Sequence, residues 1–158
     1  MRRAHAVFAL ALAALVTAPA AFGASGSLSD PDDDTLADVL KLSFANKDDR
    51  AVVKMAYDGY RPQVENFYVK WGTAGKYYKL QRSPNGTSLW YSDGSGEPSE
   101  ESCSGDRVRH NEETFVSTGT IPRSCMPQAP GKLKFQGIAT EGLFEFDETR
   151  TSTRVARG

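Results

Sequence analysis

Residues 64–91 read VENFYVKWGTAGKYYKLQRSPNGTSLWY, and the rest of the chain is organised around them. Three runs rich in aromatic and branched side chains, VENFYVKW (64–71), KYYKLQ (76–81) and TSLWYS (87–92), are separated by GTAG and RSPNG. Each run has strand length and each break has turn chemistry, which predicts a β-meander. Successive strand side chains point to opposite faces. Phe67, Val69, Trp71, Tyr78, Leu80, Leu89 and Tyr91 therefore form the expected core face, while Tyr68, Tyr77 and Trp90 lie on the other face among Lys70, Lys79 and serines.

Alternation continues on both sides of the meander. Leu40, Leu42 and Phe44 alternate with Lys41 and Ser43; after an Asn-Lys-Asp-Asp turn, Val53, Met55 and Tyr57 alternate again. This predicts a hairpin, preceded by one helical turn at residues 35–38, where Thr35-Leu36-Ala37-Asp38 has capping-box form. Downstream, Arg107–Asn111 and residues 114–117 read as short strands around an Asn-Glu-Glu turn. KLKFQGIATE then sets Leu133, Phe135 and Gly137 against Lys134, Gln136 and Ile138. In the tail, Thr149, Thr151 and Thr153 alternate with Arg150, Ser152 and Arg154, which suits either a charge-blunted edge strand or a frayed end. About eight short strands without a sustained helical period indicate an all-β fold, an antiparallel sandwich or barrel, with the sandwich the better match.

The first residues have the order of an export signal: Arg2 and Arg3, an apolar run from Ala6 to Val16, then small residues, with cleavage expected after Gly23. The apolar run is too short to span a bilayer, and no cysteine lies nearby to take a lipid. The expected organisation is a signal peptide at 1–23, a flexible acidic lead-in at 24–35 and a β-sandwich domain at 36–158. Removing Arg2 and Arg3 leaves 17 basic against 20 acidic side chains, a formal charge of −3, which disfavours nucleic acid as a partner. A secreted monomer without a membrane anchor is expected.

Cys103 and Cys125 are the only cysteines. In an exported chain they read as one disulfide, and closing a loop of about 22 residues constrains the unfolded chain by about 3 kcal/mol. Asp30, Asp32 and Asp34 have the alternate spacing of a Ca²⁺ loop. The remainder of that loop is missing, because Pro31 holds its second position, its sixth lacks glycine and Lys41 replaces the closing Glu. Ca²⁺ is thus the only cofactor suggested, against a plain solvated acidic segment.

Several landmarks coincide in order: Asp30-Pro31, Asp38-Val39, Val52-Val53-Lys54, Tyr57-Asp58, Cys103, Ile121-Pro122-Arg123-Ser124-Cys125, and a closing stretch from Asp147 and Thr149 through Val155-Ala156-Arg157-Gly158. In these the chain resembles small secreted actinobacterial β-sandwich proteins of unassigned function. The resemblance implies a compact sandwich with one disulfide and carries over no enzymatic residue. This chain departs from the pattern in being short between the hairpin and Cys103.

Catalytic motifs are sparse. His110 is the only histidine outside the signal, and His-Asn-Glu-Glu-Thr is not H-E-x-x-H; Gly94-Ser95-Gly96 lacks the G-x-S-x-G frame. Glu141, Glu145 and Asp147 could supply a glycosidase pair, but acidic residues are plentiful. Exposed aromatic rings with polar neighbours can instead receive a sugar or an apolar group. Tyr68, Tyr77, Lys79 and Trp90 are the candidate ligand-binding residues, with cross-strand packing as the competing role. The sequence thus points to a secreted, non-catalytic module for an extracellular ligand such as a carbohydrate or a protein. A secreted hydrolase or a loop-mediated inhibitor is the alternative. Asn85-Gly86-Thr87 is an acceptor sequon that serves here as a turn marker.

Overall fold

The computed structural model of the chain describes residues 24–30, 38–142 and 145–158. In chain order its strands are β1 (Ala24–Ser29), β2 (Val39–Asn46), β3 (Arg50–Tyr57), β4 (Val64–Trp71), β5 (Lys76–Ser83), β6 (Gly86–Ser92), β7 (Ser99–Glu101), β8 (Arg107–Asn111), β9 (Val116–Pro122), β10 (Lys132–Glu141), β11 (Glu145–Glu148) and β12 (Val155–Ala156). A single 3-10 turn at Arg123–Cys125 follows β9. Two antiparallel sheets form a sandwich, one in the order β1-β2-β3-β9-β8, the other β11-β10-β4-β5-β6-β7 with β12 also on β10.

The meander takes the predicted form. In β4, β5 and β6, Phe67, Val69, Tyr78, Leu80 and Leu89 are buried, and Trp71 and Tyr91 pack against them. Cross-strand register explains the sharing of a face: Phe67 stands opposite Leu80, Val69 opposite Tyr78, and Tyr78 opposite Tyr91. Trp71, Tyr78 and Tyr91 gather with ring centroids 5.0 to 6.3 Å apart, a spacing at which aromatic pairs attract beyond their area burial.

The sheets approach closely where a side chain is missing. A Cβ on Gly119 of β9 would come 2.6 Å from the Phe67 ring, and one on Gly137 of β10 would come 2.4 Å from Met55 Sδ. Each glycine thus makes room for a large core residue of the opposite sheet, and Phe44 of β2 stacks on Phe135 of β10 at 5.1 Å.

Two expectations need correction. Residues 24–29 are not a flexible lead-in but the edge strand β1, paired with β2 from Ala24 opposite Asn46 to Ser29 opposite Lys41. Its small alternating residues, ASGSLS, carried too little apolar pattern to mark a strand. Leu40 does not join the core, because a bulge between Val39 and Lys41 shifts the register and buries Val39 in its place. The polar segment between β6 and β8 contains β7, paired with β6. The export signal at 1–23, Asp32, Asp34 and most of the expected helical turn lie outside the described residues.

The ends of the sandwich are closed by specific contacts. Cys103, just past β7, is bonded to Cys125 in the 3-10 turn after β9, so the bridge ties the β7 edge of one sheet to the other. The tail is neither a regular edge strand nor frayed. Along β10, Gly137 N–H donates to Thr149 Oγ1 and Phe135 N–H to Ser152 Oγ, while Thr149 and Ser152 N–H donate to the Gly137 and Phe135 carbonyls. Hydroxyls thereby replace backbone acceptors until β12 resumes the ladder at Val155. Buried Asn46 donates to the carbonyls of Gly131 and Val155, linking the first sheet to the end of the second.

Candidate ligand-binding face

The outer face of the larger sheet is a grid set by register. One row across the strands reads Gln136, Tyr68, Lys79, Trp90, Glu100; the next reads Lys134, Lys70, Tyr77. A third begins with Glu148, Ile138 and Asn66. Because neighbouring strands lie about 4.8 Å apart, side chains within a row are in mutual reach.

Of the four residues singled out from sequence, Tyr68 and Tyr77 meet edge to face with centroids 5.3 Å apart. Both line an open cleft of about 490 Å³ with Lys70, Lys76, Lys134 and Ile138. Lys79 and Trp90 form a neighbouring pair outside that lining, the Lys79 ammonium 5.2 Å from the Trp90 ring centre. The indole N–H of Trp90 donates to Ser88 Oγ at 2.9 Å, which fixes the ring on the sheet. Cross-strand packing and an accessible cleft therefore coexist on this face.

Lys134, Ile138 and Thr151 enter the cleft from the C-terminal quarter of the chain. Their outward position on β10 was visible as alternation for the first two, but not their adjacency to β4. Thr151 comes from the tail that runs along β10.

The lysines of this face are held in place. Lys70 Nζ donates to Gln136 Oε1 and lies 4.9 Å from the Tyr68 ring centre. Gln136 is itself buried, its amide donating to Glu148 Oε1 and to the Thr149 carbonyl. Burial lowers the Lys70 pKa; Glu148 opposes that shift and Lys134 reinforces it. Lys79 is lowered by burial, and burial with Tyr77 and Glu148 pushes the Tyr68 phenol up to about 12. At neutral pH the Tyr68 phenol is therefore neutral.

The other chemical candidates resolve differently. Asp30 lies at the end of β1, its N–H bonded to the Leu40 carbonyl. Among the described residues no group of three or more His, Cys, Asp or Glu is placed to hold a metal. Asp147 is buried and accepts the Val39 N–H at 2.7 Å, and Glu141 accepts the Gln63 N–H at 2.9 Å.

His110 belongs to a buried polar seam between the sheets. Glu65 accepts from Tyr57 Oη at 3.0 Å and from Arg82 Nε at 2.8 Å, with Arg61 Nε 3.7 Å away. His110 Nδ1 lies 2.8 Å from Ser117 Oγ. A carboxylate only accepts, so the Tyr57 hydroxyl donates to Glu65. His110 Nε2 lies 3.6 Å from Glu112 Oε2. Ser117 is wholly enclosed, so this Ser–His contact serves the packing of the sandwich.

Among the described residues no helix is long and apolar enough to cross a membrane. The chain matches no protein-family model, no curated protein and no solved structure.

Proposed function

We propose that this protein is an exported, non-catalytic binding module that takes an extracellular carbohydrate on the outer face of its larger sheet. The observation that carries the reading is the Tyr68–Tyr77 cleft of about 490 Å³, where aromatic, aliphatic and hydrogen-bonding groups converge on an open sheet face. A sugar offers apolar C–H surface bordered by hydroxyls, which suits rings flanked by polar side chains. Export is supported by the disulfide, a bond that persists in oxidising compartments. The order of basic, apolar and small residues at 1–23 supports it as well. The non-catalytic part is supported by the duties of the candidate groups: Ser117 is enclosed within the sandwich, and Asp147 accepts a backbone N–H.

The test is a glycan array probed with the secreted protein, followed by titration of Tyr77→Ala with a retained glycan. The variant should stay folded, losing about 1 kcal/mol for the missing ring contacts, and should lose most of its affinity. Retention of no glycan, or wild-type affinity in the folded variant, refutes the reading.

A further inference from the structure

Three of the side chains lining the cleft, Lys70, Lys76 and Lys134, are lysines, and no carboxylate among the described residues lines it. Lys134 and Lys70 stand directly opposite each other across β10 and β4. A like-charge pair in that position costs sheet stability. The carboxylates of the face stand at its margins, Glu148 on β11 and Glu100 on β7, and Glu148 already accepts from the Gln136 amide.

The contacts that hold the lysines leave most of their charge available. An amide oxygen and an aromatic ring offer Lys70 only partial negative charge, so its position is set while its positive field persists. The same contacts use ring surface: ammonium groups lie over Tyr68 and over Trp90. Those faces are occupied by cations where a sugar would otherwise stack. A ligand bearing anions complements this arrangement, and its affinity would offset the repulsion built into the pair.

We infer that the ligand is an acidic saccharide, whose carboxylate, sulfate or phosphate groups sit among Lys70, Lys76 and Lys134 while a sugar ring lies against Tyr77. The inference rests on the carbohydrate reading and names the ligand class of the same cleft. Ammonium groups act as point charges without the fixed fork of a guanidinium, which is why the three anions are grouped.

The experiment titrates the protein with an oligouronate, with its carboxyl-reduced neutral counterpart, and with sulfated and phosphodiester-linked saccharides. An oligodeoxynucleotide of similar charge serves as a further arm. At least one acidic saccharide should bind at least about tenfold more tightly than the neutral counterpart, and Lys134→Gln should weaken it by about tenfold, in the range of a hydrogen bond to a charged group. Raising NaCl from about 0.1 M to about 1 M shortens the screening length from about 10 Å to about 3 Å and should abolish most of the difference. Lys70→Gln is a second variant, read alongside its melting curve because Lys70 also supports Gln136. Equal binding of the neutral counterpart overturns the charge inference and leaves the carbohydrate reading standing. Equal binding of the oligodeoxynucleotide overturns the saccharide assignment, and binding of nothing by folded protein overturns both.

Discussion

On the inner face of the larger sheet Glu65 stands opposite Arg82, and on the outer face of the same β4 strand Lys70 stands opposite Lys134. The inner charges are buried and complementary: Glu65 is fully enclosed, with Arg82 at 2.8 Å and the Tyr57 hydroxyl at 3.0 Å. The outer charges are half-exposed and alike. A buried charge must be paired to be tolerated at all, so the inner arrangement is what folding requires. Two opposed lysines over a cleft offer no such pairing, and a like-charge pair in that position costs sheet stability. The difference separates polar side chains that hold the sandwich together from those of the proposed ligand-binding face.

The most severe way to break the comparison is Glu65→Gln, which leaves Arg82 buried beside an amide. It should cost about 3 kcal/mol of stability, the scale for removing one partner of a buried pair, as read by urea denaturation. A loss of only a few tenths would mean that the inner charges do not hold the fold as described.

A smaller effect is expected from pH. Burial lowers the His110 pKa from 6.5; Arg61 and Arg82 add to the shift, while Glu112 and Glu65 oppose it. The unfolded chain therefore takes the proton first as pH falls. Stability from this group is complete above the unfolded pKa, is lost as pH falls through the folded one, and is flat below it. His110→Asn, which keeps a hydrogen-bonding side chain but no titrating ring, should remove this component from melting temperatures measured across that range. An unchanged pH profile would place the acid sensitivity elsewhere.

The smallest effect sharpens the contrast. Lys134→Gln removes a like-charge neighbour of Lys70 and should leave stability unchanged or raise it by about 0.2 to 0.5 kcal/mol, opposite in sign to Glu65→Gln. A loss above about 1 kcal/mol, read by the same denaturation, would assign Lys134 to the structural class.

Side-chain alternation is a local property, and it was legible wherever residues of contrasting polarity took turns. Phe67, Leu80 and Leu89 are buried and Tyr68, Tyr77 and Trp90 face outward, as the period of two requires. It failed at β1, where serine and glycine give little contrast, and at the Val39 bulge, where one extra residue exchanges the faces. Half of the cleft lining was therefore readable: the two tyrosine rings and Lys70 lie within one meander. The other half was not, since Lys134 and Ile138 lie more than sixty residues beyond Lys70 in the chain.

From its residues alone the chain determined an all-β layered fold, the side of each meander strand that is buried, and a single pair of cysteines available for bridging. The tertiary structure decided which strands neighbour one another, and with that the opposed lysines, the cleft between two tyrosines and the buried polar seam of Glu65, Tyr57, Ser117 and His110. The physical reason is reach: a strand's alternation is written within a few residues, whereas the partner across a sheet is chosen by the packing of the whole core.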